Sequence, residues 1–471
     1  MKQASQSLSQ IRQMQKFFSV EPTNNLKLLP EEQFIINCLR SEFSGENDDD
    51  FVNFNFSNID WNVVYEKSIC WKTASLLYKI IKEKPSLLQH SGIPDNFLQQ
   101  IKLAYLKACI VNETNFKNLF KVIEILHAAE IKVILLKGSH LAQFVYKGIG
   151  LRPMGDIDIL IKKEDLDKAE KLLLQNGFKY SQLNQKVYSY FGIDQDVLKQ
   201  TDLIRQYKKI HHHSHPFSNS KGIKHLEIHW TIADQNSPFD IAIEEIWKRA
   251  KRVKTNGTDM LVLSPEDLLL HLSLHISHNE KFKNHGLRPC CDIATIINHY
   301  SSGIDWNQLQ SRACEWGVGK YLYLMLYLCK EILGLKIPNK LFDNLKPKPF
   351  SGKILLDAQN RILCHEKKKS IAPRIYKKFH SDISLSKKIS YIFHEIFIPF
   401  NKLASRYSIP ESSKRVYFYY FVRLILLLYR RSTHYASFFL YFLTHKKTDF
   451  YNYNLDTWLI PSDYKNTKKF N

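Results

Sequence analysis

The hydrophobic period of the chain changes once, near residue 129, and that change limits what it can fold into. Upstream, apolar residues recur every three or four positions, in WNVVYEKSICWKTASLLYKII from Trp61 and in FKNLFKVIEILHAA from Phe116, the spacing of one helix face. Ile131-Lys132-Val133-Ile134-Leu135-Leu136 then forms a short β-rich run, broken at once by Lys137-Gly138-Ser139-His140. A second apolar strand, Ile157 to Ile161, follows Arg152-Pro153-Met154-Gly155. Lys163 to Asn176 reads as a helix with acidic residues first and Gly177 as its C-cap. Two further strands are expected around His211–Phe217 and His225–Ile232, joined by the turn-rich SNSKG. Ser264-Pro265-Glu266-Asp267 is a helix start with proline in the first turn, and helical spacing continues beyond it.

The fold class that follows is a small mixed β-sheet with flanking helices, an α+β or α/β core, embedded in a mainly α-helical multi-domain chain. Five segments are expected: a polar N-terminal segment and helix over 1–58, a helical region over 59–128, the α/β domain over 129–260, a helical domain over 261–345, and a basic, aromatic-rich helical region over 346–471.

Composition removes several alternatives. The chain has 471 residues, 44% hydrophobic and 24% charged, so collagen-like and wholly disordered readings fall away. Eight cysteines, none spaced as CxxC, are too sparse for a disulfide scaffold and fit reduced thiols in the cytoplasm. The N-terminal stretch lacks the apolar core of a signal peptide. No apolar run reaches the roughly 18 residues that would span a bilayer. The nearest candidate, Val416 to Tyr429, is shorter and carries Arg423. The net charge of +21 is concentrated at the C-terminal end, where residues 341–471 hold 24 basic and 9 acidic side chains. Such an excess solubilises, or meets nucleic acid, a membrane surface or an acidic partner.

The chemistry is concentrated in the α/β segment. Within a strand, Asp156 and Asp158 face the same side about 7 Å apart, with Ile157 packed behind. Paired carboxylates repel unless a cation lies between them, and Mg²⁺ is a common answer. By the same period of two, His225, Glu227 and His229 share a face, and Glu227 offers a third carboxylate. Three acidic groups on two strands can hold divalent ions that activate an attacking oxygen and stabilise a leaving pyrophosphate. Strand, Gly138, Ser139 and helix form a phosphate cradle, flanked by the positive charges of Lys137 and Arg152.

These residues resemble the signature of the DNA-polymerase-β-like nucleotidyltransferase superfamily: an apolar residue, Gly, Gly or Ser, a spacer, then Asp-apolar-Asp. The closer resemblance is to a bacterial family of largely uncharacterised nucleotidyltransferases. It is carried by LLKGSHLA at 135–142, RPMGDIDILI at 152–161, LEIHW at 226–230 and SPEDLLLHLSLH at 264–275, with IDW at 59–61 and LRPCCDIATII at 287–297. The resemblance spans residues 59–335. It implies transfer of a nucleoside monophosphate from an NTP to an acceptor, with Mg²⁺ (or Mn²⁺) as cofactor and pyrophosphate released. By the match, Gly138 and Ser139 hold the triphosphate, and Asp156 and Asp158 bind the metal. Glu227 is the candidate third carboxylate, as metal ligand or base. The acceptor expected is a small molecule, sugar or peptide product, with RNA such as tRNA or a protein side chain as the alternative. A non-catalytic nucleotide- or partner-binding domain is a third reading, which gains if Glu227 lies away from the aspartate pair.

Three other features stay open on sequence alone. His211-His212-His213-Ser214-His215 invites a metal reading, yet neighbours in a strand point to opposite faces and no cysteine is nearby. His271, His275 and His278 form a helical stripe that either binds zinc, lines the cleft or crosses the α/β domain, and the last is favoured. Arg288 and Asp292, at i and i+4, are expected to pair with each other, while His275 and Asp292 match positions that recur in the family's helical region, a resemblance that implies a part in building the nucleotide or acceptor pocket. The tail KRVYFYYFVRLILLLYRR suits a packed helix with cations snorkelling outward, and less well RNA contact or a membrane surface.

Overall fold

The computed structural model describes residues 28–45, 54–84, 92–181, 211–219, 225–234, 237–255, 257–283, 285–348 and 350–363, with short pieces at 204, 207–208, 417, 419–420 and 455–459. Two compact units divide the chain, 1–365 and 366–471. The first holds almost all described residues. Most of the basic tail, including the 414–431 segment apart from Tyr417, Tyr419 and Tyr420, lies outside the described residues, as does the 1–25 segment.

The seven strands are β1 (Ile134–Leu135), β2 (Ile157–Leu160), β3 (Lys179–Tyr180), β4 (Phe217–Ser218), β5 (Leu226–His229), β6 (Lys251–Thr255) and β7 (Thr258–Val262). They form one mixed sheet in the order β3-β4-β5-β2-β1-β7-β6. β2 runs parallel to β5 and antiparallel to β1, and β1 runs parallel to β7. The hairpin β6–β7 was not expected as strands. Its sequence, KRVKTNGTDMLV, carries Asn-Gly between two alternating runs, a strong hairpin signal, and the two runs pair antiparallel. The strands around His211 and His225 are shorter than expected: His213 makes only an isolated bridge to His229, and β4 begins at Phe217.

Among the described residues, four helices precede the sheet: α1 (Pro30–Phe43), α2 (Trp61–Cys70), α3 (Ala74–Glu83) and the long α4 (Asp95–His127). Phe116, Leu119, Val122, Ile123 and Leu126 of α4 are all buried, the i, i+3, i+7 stripe read from sequence. They pack with Leu135, Ile157, Ile159, Ile161, Leu226, Ile228 and Trp230, the apolar face of the sheet. Each such residue contributes about 1.5–3 kcal/mol on burial. Because strand side chains alternate, this packing turns the intervening residues Asp158 and Glu227 to the other face.

Within and after the sheet come α5 (Lys137–His140), α6 (Leu166–Gln175), α7 (Ile243–Arg249) and α8 (Pro265–Leu274). α6 ends as its sequence requires: Gly177 has φ 85°, and the Phe178 N–H donates to Leu173 O at 3.0 Å. α8 is capped by the Ser264 hydroxyl, which accepts from the Asp267 N–H at 3.2 Å. Among the described residues of the first unit, α9 (Arg288–Tyr300), α10 (Trp306–Glu315), α11 (Gly319–Leu333), α12 (Asn339–Leu345) and α13 (Gly352–Ile362) follow. α8, α9 and α11 pack on one another, and α1 packs on α11, where the Arg40 guanidinium donates to the Glu331 and Ile332 carbonyls. Among the described residues no helix is long and apolar enough to cross a membrane.

Candidate active site

β1 leads directly into the site. The chain leaves Leu135 and turns sharply at Lys137, whose φ of 41° places a non-glycine residue in the left-handed region. Such a backbone costs about 1–3 kcal/mol and persists only where its surroundings demand it. Here the turn carries the ammonium over the neighbouring strand, where Lys137 Nζ lies 2.8 Å from Asp158 Oδ1. Two backbone contacts fix the same junction: the Leu136 N–H donates to Asp158 O at 3.1 Å, and the Asp158 N–H donates to Ser139 Oγ at 3.3 Å. Ser139 is fully buried, so its hydroxyl ties α5 to β2.

The parallel pairing of β2 and β5 sets Asp158 opposite Glu227 in register. Two carboxylates are thereby fixed side by side on one face. His229 Nε2 lies 3.0 Å from Asp158 Oδ1 and 3.5 Å from Glu227 Oε2, and His225 Nε2 lies 3.2 Å from Glu227 Oε1. His213 adds a third ring, its Nδ1 3.8 Å from Glu227 Oε2. Burial alone would raise the pKa of Asp158, but Lys137 and then His229 outweigh it and hold the carboxyl at about 2. Burial opposes ionisation of Glu227 too, yet the hydrogen bonds from His225 and His229 keep it well below the usual range. Burial disfavours the Lys137 charge, and Asp158, Glu227 and Asp156 more than restore it.

Asp156 differs from its expected partner. It precedes β2 and is exposed at the rim, where lost hydration and the charge of Asp158 raise its pKa. The set whose ligand atoms lie within 4.8 Å of one another is Asp158, Glu227 and His229, without Asp156. This set fits a divalent ion. Asp158 Oδ2 is buried with no hydrogen-bond partner, two carboxylates share one face, and a hard cation takes oxygen ligands. His229 stood on the expected face in the sequence, but its contact with Asp158 was not foreseen, because the offset between two parallel strands is not written in either of them.

Arg152 is buried, and its guanidinium grips Asp292 of α9 with Nε–Oδ1 and Nη2–Oδ2 both at 3.1 Å. The Tyr146 hydroxyl donates to the same Oδ1 at 2.8 Å. The expected Arg288–Asp292 pair is therefore corrected: Asp292 is taken by Arg152 and Tyr146, and Arg288 Nη2 meets His285 Nδ1 at 3.2 Å. Gly138 is needed where it stands, since a Cβ there would lie 2.5 Å from Arg152 Nη1. Asn112 of α4, also missed, clamps the approach loop. It donates to the Ile149 and Arg152 carbonyls and accepts from the Met154 N–H at 3.0 Å.

Between this sheet face and the helices runs a cleft lined by Lys137, Gly138, Arg152, Asp156, His275 and Arg288, among others. The histidine stripe is broken by a wide turn at His275–Asn279 that follows α8. His271 is buried and neutral, whereas His275 reaches the cleft. The five-residue run at 211 also divides: His212 Nδ1 holds Asp234 Oδ1 at 2.6 Å, and His213 stacks near His229 with ring centroids 5.0 Å apart.

Comparison with known proteins decides the class. Residues 57–334, more than half of the chain, match the family described as uncharacterised nucleotidyltransferase. The chain belongs to that family. Neither the curated proteins nor the solved structures compared contain a match. The protein is thus a transferase of nucleotidyl groups, and the helical and α/β elements around the cleft lie within the matched region.

Proposed function

We propose that this nucleotidyltransferase moves a nucleoside monophosphate from an NTP to a hydroxyl acceptor in a divalent-metal-dependent reaction, and that Asp158 and Glu227 form its centre. The observation that carries the reading is the register of β2 and β5, which sets Glu227 beside Asp158, with Lys137 against it and one carboxylate oxygen unpartnered. Asp158 and Glu227 would hold Mg²⁺ or Mn²⁺, with Asp156 at the rim. His229 orients both carboxylates, as outer hydrogen bonds do at metal sites. When bound, such an ion supplies Lewis-acid stabilisation of charge on the phosphates.

The chain's own groups do the rest. The acceptor oxygen forms a bond to the α-phosphorus while the bond to the bridging oxygen breaks and pyrophosphate leaves. Glu227, ionised and only partly buried, takes the acceptor proton. Lys137 offers positive charge where it develops on the triphosphate. Gly138 lets the backbone approach the phosphates, and Ser139 holds the strand that presents Asp158. The full burial of Asp158 favours a small or extended acceptor such as a sugar, small molecule or peptide product. The test is transfer of label from each α-labelled NTP, with Mg²⁺ or Mn²⁺, into separated small-molecule, RNA and protein fractions. Label in one fraction supports transfer and names the acceptor class; label that persists in Asp158→Asn contradicts the assignment. The non-catalytic reading would gain from a distant Glu227, and the β2–β5 register, which sets Glu227 beside Asp158, supports the catalytic reading instead. The RNA alternative rests on the basic tail, most of which lies outside the described residues.

A further inference from the structure

We infer that Arg288 is a phosphate-contact residue, contributed by the helical layer to the triphosphate and pyrophosphate side of the cleft. The inference rests on the nucleotidyl-transfer reading above and names a group that reading did not use. Its basis is an inventory of the cations that line the cleft. Lys137 is held by Asp158 at 2.8 Å, and Arg152 is held by Asp292 through two bonds. Both charges are already matched by carboxylates. Arg288 is different: among the described residues no carboxylate lies within salt-bridge distance of its guanidinium, and its side-chain partner is the ring nitrogen of His285.

The geometry keeps Arg288 poised. His285 Nδ1 faces the Arg288 donor, so the ring proton belongs on Nε2, which lies 3.5 Å from Glu280 Oε2. Glu280 thus orients the imidazole, and the imidazole orients the guanidinium, without a carboxylate reaching it directly. The turn that carries both is seated on Trp71, the residue that closes α2. Gly286 has φ 59°, a Cβ there would lie 2.3 Å from Trp71 Cα, and the Arg288 N–H donates to Trp71 O at 3.2 Å. Burial and the nearby charge of Arg152 both disfavour a second cation at Arg288. A group held against that penalty, lining the same cleft as Lys137 and Gly138, is matched by a multivalent oxyanion. The guanidinium fork suits phosphate oxygens in particular.

Inorganic pyrophosphate with Mg²⁺ is the probe, because it needs no choice of base. In calorimetric titration of the full chain, Arg288→Gln is expected to weaken pyrophosphate binding at least about tenfold, while the affinity for whichever nucleoside monophosphate the wild-type chain binds changes less than about twofold. Unchanged pyrophosphate affinity in folded Arg288→Gln overturns the inference and leaves nucleotidyl transfer standing. If the wild-type protein binds neither pyrophosphate nor any NTP, the nucleotide reading itself fails, and this one with it. Should the variant not fold, the wild-type chain gives a second readout: phenylglyoxal modification located by mass spectrometry. Arg288 is expected to react in the free protein and to be shielded by pyrophosphate but not by the monophosphate, with Arg152 slow throughout. Lack of reaction at Arg288, or equal reaction with and without pyrophosphate, contradicts the inference.

Discussion

Asp158 receives a lysine, a histidine and a serine-anchored backbone within hydrogen-bond reach, and still keeps one oxygen free. That concentration makes it the residue whose loss should be read most cleanly. Asp158→Asn keeps the shape of the side chain, so nucleotidyl transfer is expected to fall at least about 100-fold with far-UV circular dichroism unchanged. Asn112 acts at a distance. Asn112→Ala leaves two carbonyls and one N–H of the 149–154 segment without their buried partner, which costs about 1–3 kcal/mol in a urea titration. It should also loosen Asp156 at the rim, so kcat falls while far-UV circular dichroism stays near wild type. Gly138→Ala tests the same junction from the other side. Its Cβ must displace the Arg152 guanidinium from Asp292, so stability drops by about 1–3 kcal/mol, and Arg152→Ala in the same chain should remove most of that penalty.

At the scale of elements, the sequence was most legible where one local pattern decides. The buried stripe of α4, the Gly177 cap of α6 and the Ser264-Pro265 start of α8 all follow from spacing and cap chemistry. Asp158 and Glu227 could each be placed on a polar strand face, because their neighbours Ile157, Ile159, Leu226 and Ile228 had to face α4. What could not be read was the offset between β2 and β5, and so the contact of His229 with Asp158. The same holds for Arg152 with Asp292, separated by 140 residues, which displaced the local i, i+4 partner. Non-local partners compete with local ones, and only the packed structure says which wins. The turn before α9 supplies a test at this scale. Gly286→Ala would press a Cβ into the Trp71 backbone, which cannot yield as a side chain can. A loss of about 2–3 kcal/mol is expected in chemical denaturation.

Across the whole molecule, several histidines are buried in the neutral form. His140, desolvated and near His299, titrates at about 3, and His271 is pushed well below its ordinary value by burial and then by Lys137. The unfolded chain protonates such rings near pH 6.5, before the folded chain does. Stability is therefore full above pH 6.5 and falls as pH drops from there towards the folded values, by up to about 1.4 kcal/mol per unit for each ring. Urea midpoints measured from pH 7.5 to 5 should show this decline, and His140→Phe should make it shallower; a flat profile would contradict neutral burial. Residues 341–471, with 24 basic and 9 acidic side chains, supply +15 of the net charge of +21, and the residues of the site described fall between 112 and 292. The central claim is that paired strand carboxylates at Asp158 and Glu227 carry out nucleotidyl transfer. Its most direct test is incorporation of α-labelled NTP into a lysate fraction by wild type, Asp158→Asn and Glu227→Gln side by side. Label in one acceptor class with wild type, lost in both folded variants, is the result the account predicts. Label that persists in either variant would contradict it.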